Sequence, residues 1–118
     1  MGPVYVDVVV SNPAQPGPGE TVKVMVDTGA TMSVLPSALL NRLGVTRHGR
    51  RHFRAFGGRV TRDTGAVLLT YEGVTEAVSA VFGDDDDPPV LGVTALGLLG
   101  YEVDPVNGRL VSLDLLML

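Results

Sequence analysis

The chain has 118 residues, of which 45% are hydrophobic, and its 9 basic and 13 acidic side chains give a net charge of −4. This composition excludes a disordered chain and argues against a general nucleic-acid binder, and the length predicts a single domain over residues 1–118. Because the sequence has no cysteine, disulfides and thiolate metal sites are excluded. No apolar stretch is long enough to span a membrane, so we expect no membrane partner. We also expect no metal and no cofactor.

The N-terminal residues are predicted to form two strands separated by a loop. Val4–Val10 is rich in valine and predicts the first strand. Ser11–Glu20 is rich in proline and glycine, which predicts a loop. Thr21–Val26 alternates apolar and polar residues, as a half-buried strand does. Residues 1–7 lack a basic region followed by an apolar one, so we expect no secretory signal and a cytoplasmic location.

The second strand runs directly into a carboxylate at Asp27 and breaks at Gly29. This order places an aspartate at a rigid strand end, on a tight turn whose backbone can approach a ligand closely. The chain has only one such turn anchored by an apolar strand. Chemistry that needs two carboxylates would therefore take the second from another copy of the chain.

Two short helices and three hairpins are predicted after this turn. Met32–Leu35 predicts a strand, and Pro36 occupies the first position of a helix that ends near Leu43 with Gly44 as its cap. Val90-Leu91 predicts a strand stopped by Gly92, and Thr94 is expected to cap a helix over Ala95–Leu99. The hairpins are Arg51–Phe56 with Arg59–Thr64 around Gly57-Gly58, Ala66–Tyr71 with Ala77–Phe82 around Glu72-Gly73, and Tyr101–Asp104 with Arg109–Leu113 around Asn107-Gly108.

A second Asp-Thr-Gly-Ala sequence occurs at Asp63–Ala66. Thr61 and Arg62 precede it, where a catalytic turn needs a buried apolar strand, and it lies too close to Asp27 for a two-lobed chain. We therefore predict that Asp63 lies on a surface turn after the first hairpin and has no catalytic role.

Opposite charges are concentrated in two segments. The basic segment contains Arg47, Arg50, Arg51, Arg54, Arg59 and Arg62. The favoured interpretation is a solvated hairpin face, and the alternatives are preference for an acidic peptide or nucleic-acid binding, both of which predict salt dependence. Asp84–Asp87, within a predicted polar loop over Asp84–Pro89, lacks the alternating ligand spacing of a calcium loop and is interpreted as a soluble loop. His48 and His52 are expected to be exposed.

Three features in this order resemble the retropepsin-like aspartic proteases, in particular the small bacterial members of that clan. They are Met25–Ala30 with Ser33-Val34-Leu35 after it, the glycine-tipped hairpin near Phe56-Gly57-Gly58, and Val90-Leu91-Gly92 followed by a short helix. The resemblance implies an all-β fold, a closed or partly closed β-barrel with one or two short helices, assembled as a homodimer.

The resemblance also implies an aspartic endopeptidase without a cofactor, whose partners are a second copy of the chain and a polypeptide substrate. Asp27 would be catalytic, and Thr28, Gly29 and Ala30 would build its turn. The residues of a substrate-binding flap would be Ala55, Phe56, Gly57, Gly58 and Arg59, and those lining the site would be Val90, Leu91 and Gly92. The alternative is a dimeric peptide-binding or scaffold module of the same fold that does not cleave.

The sequence departs from the retroviral pattern at two linked places. Thr31 and Met32 stand where acidic residues typically follow the catalytic turn, and Val93 stands where an arginine follows the apolar-apolar-Gly segment. The ion pair that links those places is therefore absent. The apolar tail Leu113–Leu118 is expected to bury against another surface and to supply a different dimer sheet.

Overall fold

A computed structural model describes residues 2–117. Its elements, in chain order, are β1 (Tyr5–Asn12), β2 (Gln15–Asp27), β3 (Ser33–Pro36), α1 (Ser37–Arg42), β4 (Gly49–Ala55), β5 (Gly58–Tyr71), β6 (Val74–Gly83), β7 (Val90–Gly92), α2 (Val93–Leu99), β8 (Tyr101–Asp104) and β9 (Arg109–Ser112). The predicted all-β architecture with two short helices is confirmed. Within these residues, neither helix is long enough to cross a membrane.

Seven strands form one sheet in the order β1-β2-β7-β3-β6-β5-β4, and β1 also pairs with β5. That additional pairing joins Val9–Ser11 to Leu68–Thr70 and closes the sheet into a barrel, from which β4 extends. The three-residue strand β7 lies between β2 and β3, parallel to the first and antiparallel to the second. Strands β8 and β9 form a separate two-stranded sheet.

The barrel interior is filled by aliphatic side chains and one phenylalanine. Alternate residues of the strands point inward, as the period of two in a β-strand requires. Helices α1 and α2 each add leucines to the same core. The fully enclosed members include Val8, Val10, Val24, Leu35, Leu40, Val67, Leu69, Phe82 and Leu91. This core holds the ends of β2 and β7 rigidly beside each other.

The predicted loop over Ser11–Glu20 is wrong. Strand β1 continues to Asn12 and β2 begins at Gln15, with a register shift in their pairing. Asn12 is buried and fixes the turn, because its Oδ1 accepts from the Ala14 N–H at 2.8 Å and its Nδ2 donates to the Leu43 carbonyl at 2.9 Å. Gly19 adopts φ +71°, and a Cβ there would lie 2.5 Å from the Val10 oxygen. Cross-strand pairing outweighs the local preference of proline and glycine for loops.

The predicted surface turn at Asp63–Ala66 is also wrong. These residues lie inside β5, which runs unbroken over 14 residues and pairs first with β4 and then with β6. Thr64 and Gly65 are buried, and a Cβ on Gly65 would collide with the Thr46 carbonyl oxygen. The glycine therefore permits a close crossing of two chain segments rather than a turn.

The helix boundaries differ slightly from the prediction. Pro36 precedes α1 as its N-cap, and Gly92 rather than Thr94 is the N-cap of α2. The hairpin turn at Glu72-Gly73 is confirmed, with φ values of 50° and 80° that suit the left-handed turn of a tight hairpin. The turn before β9 is also confirmed, with Gly108 at φ 64°.

Candidate active site

Asp27 is the last residue of β2, three positions after the buried Val24. Its Oδ1 accepts a hydrogen bond from the Gly29 N–H at 3.0 Å, and its carbonyl accepts from the Ala30 N–H at 3.1 Å. Asp27 and Ala30 are half-buried, whereas Thr28 and Gly29 are exposed. Within residues 2–117, Asp27 takes part in no ion pair. The turn thus presents a positioned carboxylate whose oxygens remain available for a ligand.

The segment Val90-Leu91-Gly92 lies directly beside this turn. Its residues pair in parallel with Met25, Val26 and Asp27. Gly92 has no room for a side chain, because a Cβ would lie 2.6 Å from the carbonyl carbon and oxygen of Met32 and 3.0 Å from the Ala30 oxygen. All three residues are buried beside the Asp27 turn, and their predicted role in lining the site stays a prediction.

Ser33 belongs to the motif that follows the Asp27 turn, where the sequence assigned it no role, and in the structure it holds the turn in place. The residue is 2% exposed, and its Oγ accepts a hydrogen bond from the Gly92 N–H at 3.0 Å. The Val93 N–H donates to the Ala30 carbonyl at 2.7 Å, and the Thr94 N–H donates to the Thr31 carbonyl at 3.3 Å. The signal for Ser33 was a hydroxyl within an apolar run, since a buried polar group requires a partner. These bonds tie the Asp27 turn to the start of α2.

Strands β4 and β5 form a hairpin, here called the flap, with its tip at residues 55–59. Ala55 pairs with Gly58, so the two-residue loop is Phe56-Gly57 rather than the expected Gly57-Gly58. Phe56 is fully exposed, and Gly57 and Gly58 adopt φ values of 95° and 136°. An exposed aromatic ring on a glycine-rich tip is well suited to contact a bound ligand or a second copy of the chain.

The carboxylate of the second Asp-Thr-Gly-Ala sequence is fully engaged. Asp63 accepts hydrogen bonds from Arg47 at 2.8 Å and from Arg50 at 3.0 Å. These two guanidinium groups lower the pKa of Asp63, with the hydrogen bond from Arg50 as the larger cause. This environment is consistent with the prediction that Asp63 has no catalytic role. The predicted position of Asp63 on a surface turn is wrong, because the residue lies inside β5.

An ion-pair network joins the base of the flap to the loop before β7. Arg62 donates from Nε to the Asp87 Oδ2 at 2.7 Å and lies 3.3 Å from Asp84. The Asp87 Oδ2 also accepts from the Asp84 N–H at 2.8 Å. The Arg62 and Asp87 side chains are only 17% and 28% exposed. The interpretation of both charged segments as solvated is therefore wrong for these two residues.

Acid is expected to weaken this network. The hydrogen bond from Arg62 holds the pKa of Asp87 below its usual 3.8. A lowered folded-state pKa stabilises the fold above the unfolded value, and that contribution disappears as the pH falls through the folded value. We therefore expect Asp87→Asn to lower the free energy of unfolding by about 1 kcal/mol at pH 7, with a smaller difference below pH ~3. Urea unfolding of both proteins at the two pH values measures this. An equal difference at both would contradict it.

The described residues contain no group of three or more histidine, aspartate or glutamate side chains placed to hold a metal ion. His52 instead contacts the Thr61 hydroxyl at 2.8 Å across the flap.

Comparison with known proteins gives two positive findings. The family described as "gag-polyprotein putative aspartyl protease" matches residues 18–98. The solved structure of EIAV protease in complex with the inhibitor HBY-793 is similar with a TM-score of 0.64 and 23% sequence identity, covering 87% of this chain and 93% of that one. At this identity the likeness shows the fold alone. No match was found among curated proteins.

Proposed function

The chain belongs to the gag-polyprotein aspartyl protease family and has a retropepsin-like fold, and on this premise we propose that it is a homodimeric aspartic endopeptidase. The observation that carries the proposal is the position of Asp27, at a strand end locked against Gly92. One chain supplies one such carboxylate, since Asp63 is engaged by two arginines. A second copy supplies the other.

The proposed chemistry follows from bringing two like charges together. Two carboxylates about 3 Å apart do not both ionise, so the Asp27 pair shares one proton. The ionised Asp27 removes a proton from a water molecule, whose oxygen attacks the peptide carbonyl carbon. The protonated Asp27 donates to the carbonyl oxygen and stabilises the tetrahedral intermediate. Cleavage of the C–N bond follows as a proton passes to the leaving nitrogen, giving a carboxylic acid and an amine.

The neighbouring residues have positioning roles in this proposal. Thr28 is exposed beside Asp27, and we assign it a hydrogen bond across the proposed dimer, while Gly29 and Ala30 keep the turn narrow. The flap tip closes over the polypeptide, and Phe56 contributes its exposed ring. Val90, Leu91 and Gly92 support the floor of the site from within the sheet.

The proposed dimer also accounts for apolar surface at the C-terminal end. Leu113 donates its N–H to the Gly100 carbonyl at 2.8 Å, and the tail beyond it is exposed in the single chain. Leu115, Leu116 and Met117 are 55%, 84% and 98% exposed, and Leu118 lies outside the described residues. Burial of these side chains against a second copy would provide a hydrophobic contribution to association.

Digestion of an unfolded casein-like polypeptide by the purified protein tests the proposal. We expect internal cleavage products at mildly acidic pH, because the shared-proton state exists only between full protonation and full ionisation of the pair. Peptide binding without any cleavage over the acidic range would instead support the non-catalytic peptide-binding module.

A further inference from the structure

We propose that Arg54 and Arg59 form an anion-binding pair on the flap that selects polypeptide substrates with acidic side chains. This inference rests on the proposed function, since it assigns the flap a substrate. The two residues are direct partners across β4 and β5, one step before the Ala55–Gly58 pair that closes the hairpin. Directly opposed residues of antiparallel strands project from the same face, so two positive charges stand side by side.

This pair is uncompensated within the chain. Both arginines are exposed, and neither takes part in an ion pair among residues 2–117. Like charges directly opposed across a hairpin destabilise it. An anion placed between them would remove that repulsion, so ligand binding and flap ordering would favour each other.

The acidic side chains that contact the flap are bonded to arginines other than Arg54 and Arg59. Asp63 is the single acidic residue between positions 47 and 71, and it accepts bonds from both Arg47 and Arg50. Asp84 and Asp87 belong to the network with Arg62. The carboxylate that completes the pair must therefore come from outside this part of the chain.

The surface around the pair has room for a side chain. An open concavity of about 500 Å³ is lined by His52, Phe53, Arg54, Ala55, Gly58 and Arg59. Guanidinium groups bind carboxylates through paired, charge-assisted hydrogen bonds. His52 and Thr61 are the next directly opposed pair on the same face of the flap, so polar side chains adjoin the two charges, whereas Phe53 and Ala55 project from the other face.

A polypeptide fits this surface better than a nucleic acid. The whole chain carries a net charge of −4, which opposes a polyanion at longer range. Arg54 and Arg59 lie on a hairpin that, in the proposed function, lies over a bound polypeptide. A short peptide with one or two acidic side chains can pair with Arg54 and Arg59 without lying against the rest of this acidic protein.

Two fluorogenic peptides test the proposal, identical except that glutamates flanking the cleaved bond in one are glutamines in the other. The readout is the ratio of their kcat/KM values. We expect the glutamate peptide to be preferred about tenfold at low salt, the effect of two exposed charge pairs, and the preference to shrink towards 1 M salt. The double variant Arg54→Gln/Arg59→Gln should lose the preference. Lys23→Gln/Arg42→Gln removes the same charge outside the flap and should retain it.

Binding to Asp27→Asn protein separates this proposal from the proposed function. Fluorescence anisotropy should show the same preference for the glutamate peptide, lost in Asp27→Asn/Arg54→Gln/Arg59→Gln, even if the parent protein cleaves neither peptide. Equal affinity for both peptides would overturn the inference while leaving endopeptidase activity intact. Retention of the preference without the two arginines would also overturn it. So would displacement of the glutamate peptide by an RNA oligonucleotide at lower concentration than by unlabelled peptide.

Discussion

Replacing Asp27 with asparagine is expected to abolish peptide cleavage, lowering kcat/KM by about 10⁴-fold or more. Asparagine has nearly the same shape and retains an oxygen that can accept from the Gly29 N–H, so the turn should be preserved. It cannot, however, remove a proton from water. Light scattering should give the same molar mass for both proteins, which separates lost chemistry from lost assembly.

Asp63→Asn is the matched control, because it makes the same change within the same four-residue sequence. Asp63 lies inside β5 with its carboxylate bonded to Arg47 and Arg50, whereas Asp27 pairs with Gly92 of β7. Its kcat/KM should remain within a few-fold of the parent value, since exposed ion pairs contribute little. Loss of activity in Asp63→Asn together with retention in Asp27→Asn would reverse the assignment.

Gly92→Ala is expected to destabilise the fold and to disrupt the site together. The added methyl group would lie 2.6 Å from the Met32 carbonyl atoms, so backbone rather than a flexible side chain would have to move. Overpacking of this kind typically costs about 1–3 kcal/mol. A displacement of about 1 Å at the adjoining Asp27 turn would lower kcat about 10²-fold. Urea unfolding and steady-state kinetics on the same preparation measure both effects.

Gly97→Ala provides the comparison within α2. Beyond its chain neighbours and the backbone of α2 itself, no atom lies within 4 Å of a Cβ at this position, and the residue is inside the helix. Alanine is favoured over glycine there by up to about 1 kcal/mol, so stability should be unchanged or raised. If Gly92→Ala behaved like Gly97→Ala, the close packing of the Asp27 turn against β7 would not be needed for stability or activity.

Local signals in the sequence were sufficient for features that local chemistry determines. Glu72-Gly73 and Asn107-Gly108 mark turns because Glu72, Gly73 and Gly108 adopt positive φ, which glycine tolerates best. The Asp27 turn was equally readable, because an apolar strand, a carboxylate and a glycine are contiguous. The order of these signals also supported the family resemblance, which the match over residues 18–98 confirms.

Features that depend on contacts outside the local segment could not be predicted from local sequence signals. Gln15–Glu20 is a strand because β1 pairs with it, although its prolines and glycines favour a loop. Gly65 was predicted to lie in a turn, but glycine is needed there because the Thr46 carbonyl packs against β5 at this position. Arg62 was predicted to be solvated, but it pairs with Asp84 and Asp87, which are more than 20 positions away in the sequence. For Gly65 and Arg62 the deciding contact is made by a residue remote in sequence, whereas for Gln15–Glu20 it is the pairing with the neighbouring strand β1.

Mixing parent chain with the Asp27→Asn variant at constant total concentration tests most directly whether two copies share one active centre. The proteins are unfolded and refolded together so that subunits pair at random, and cleavage is measured against the fraction of parent chain. The account predicts dependence on the square of that fraction, with about one quarter of full activity in an equal mixture. A linear dependence, with about half of full activity in that mixture, would show that each chain cleaves on its own and would contradict it.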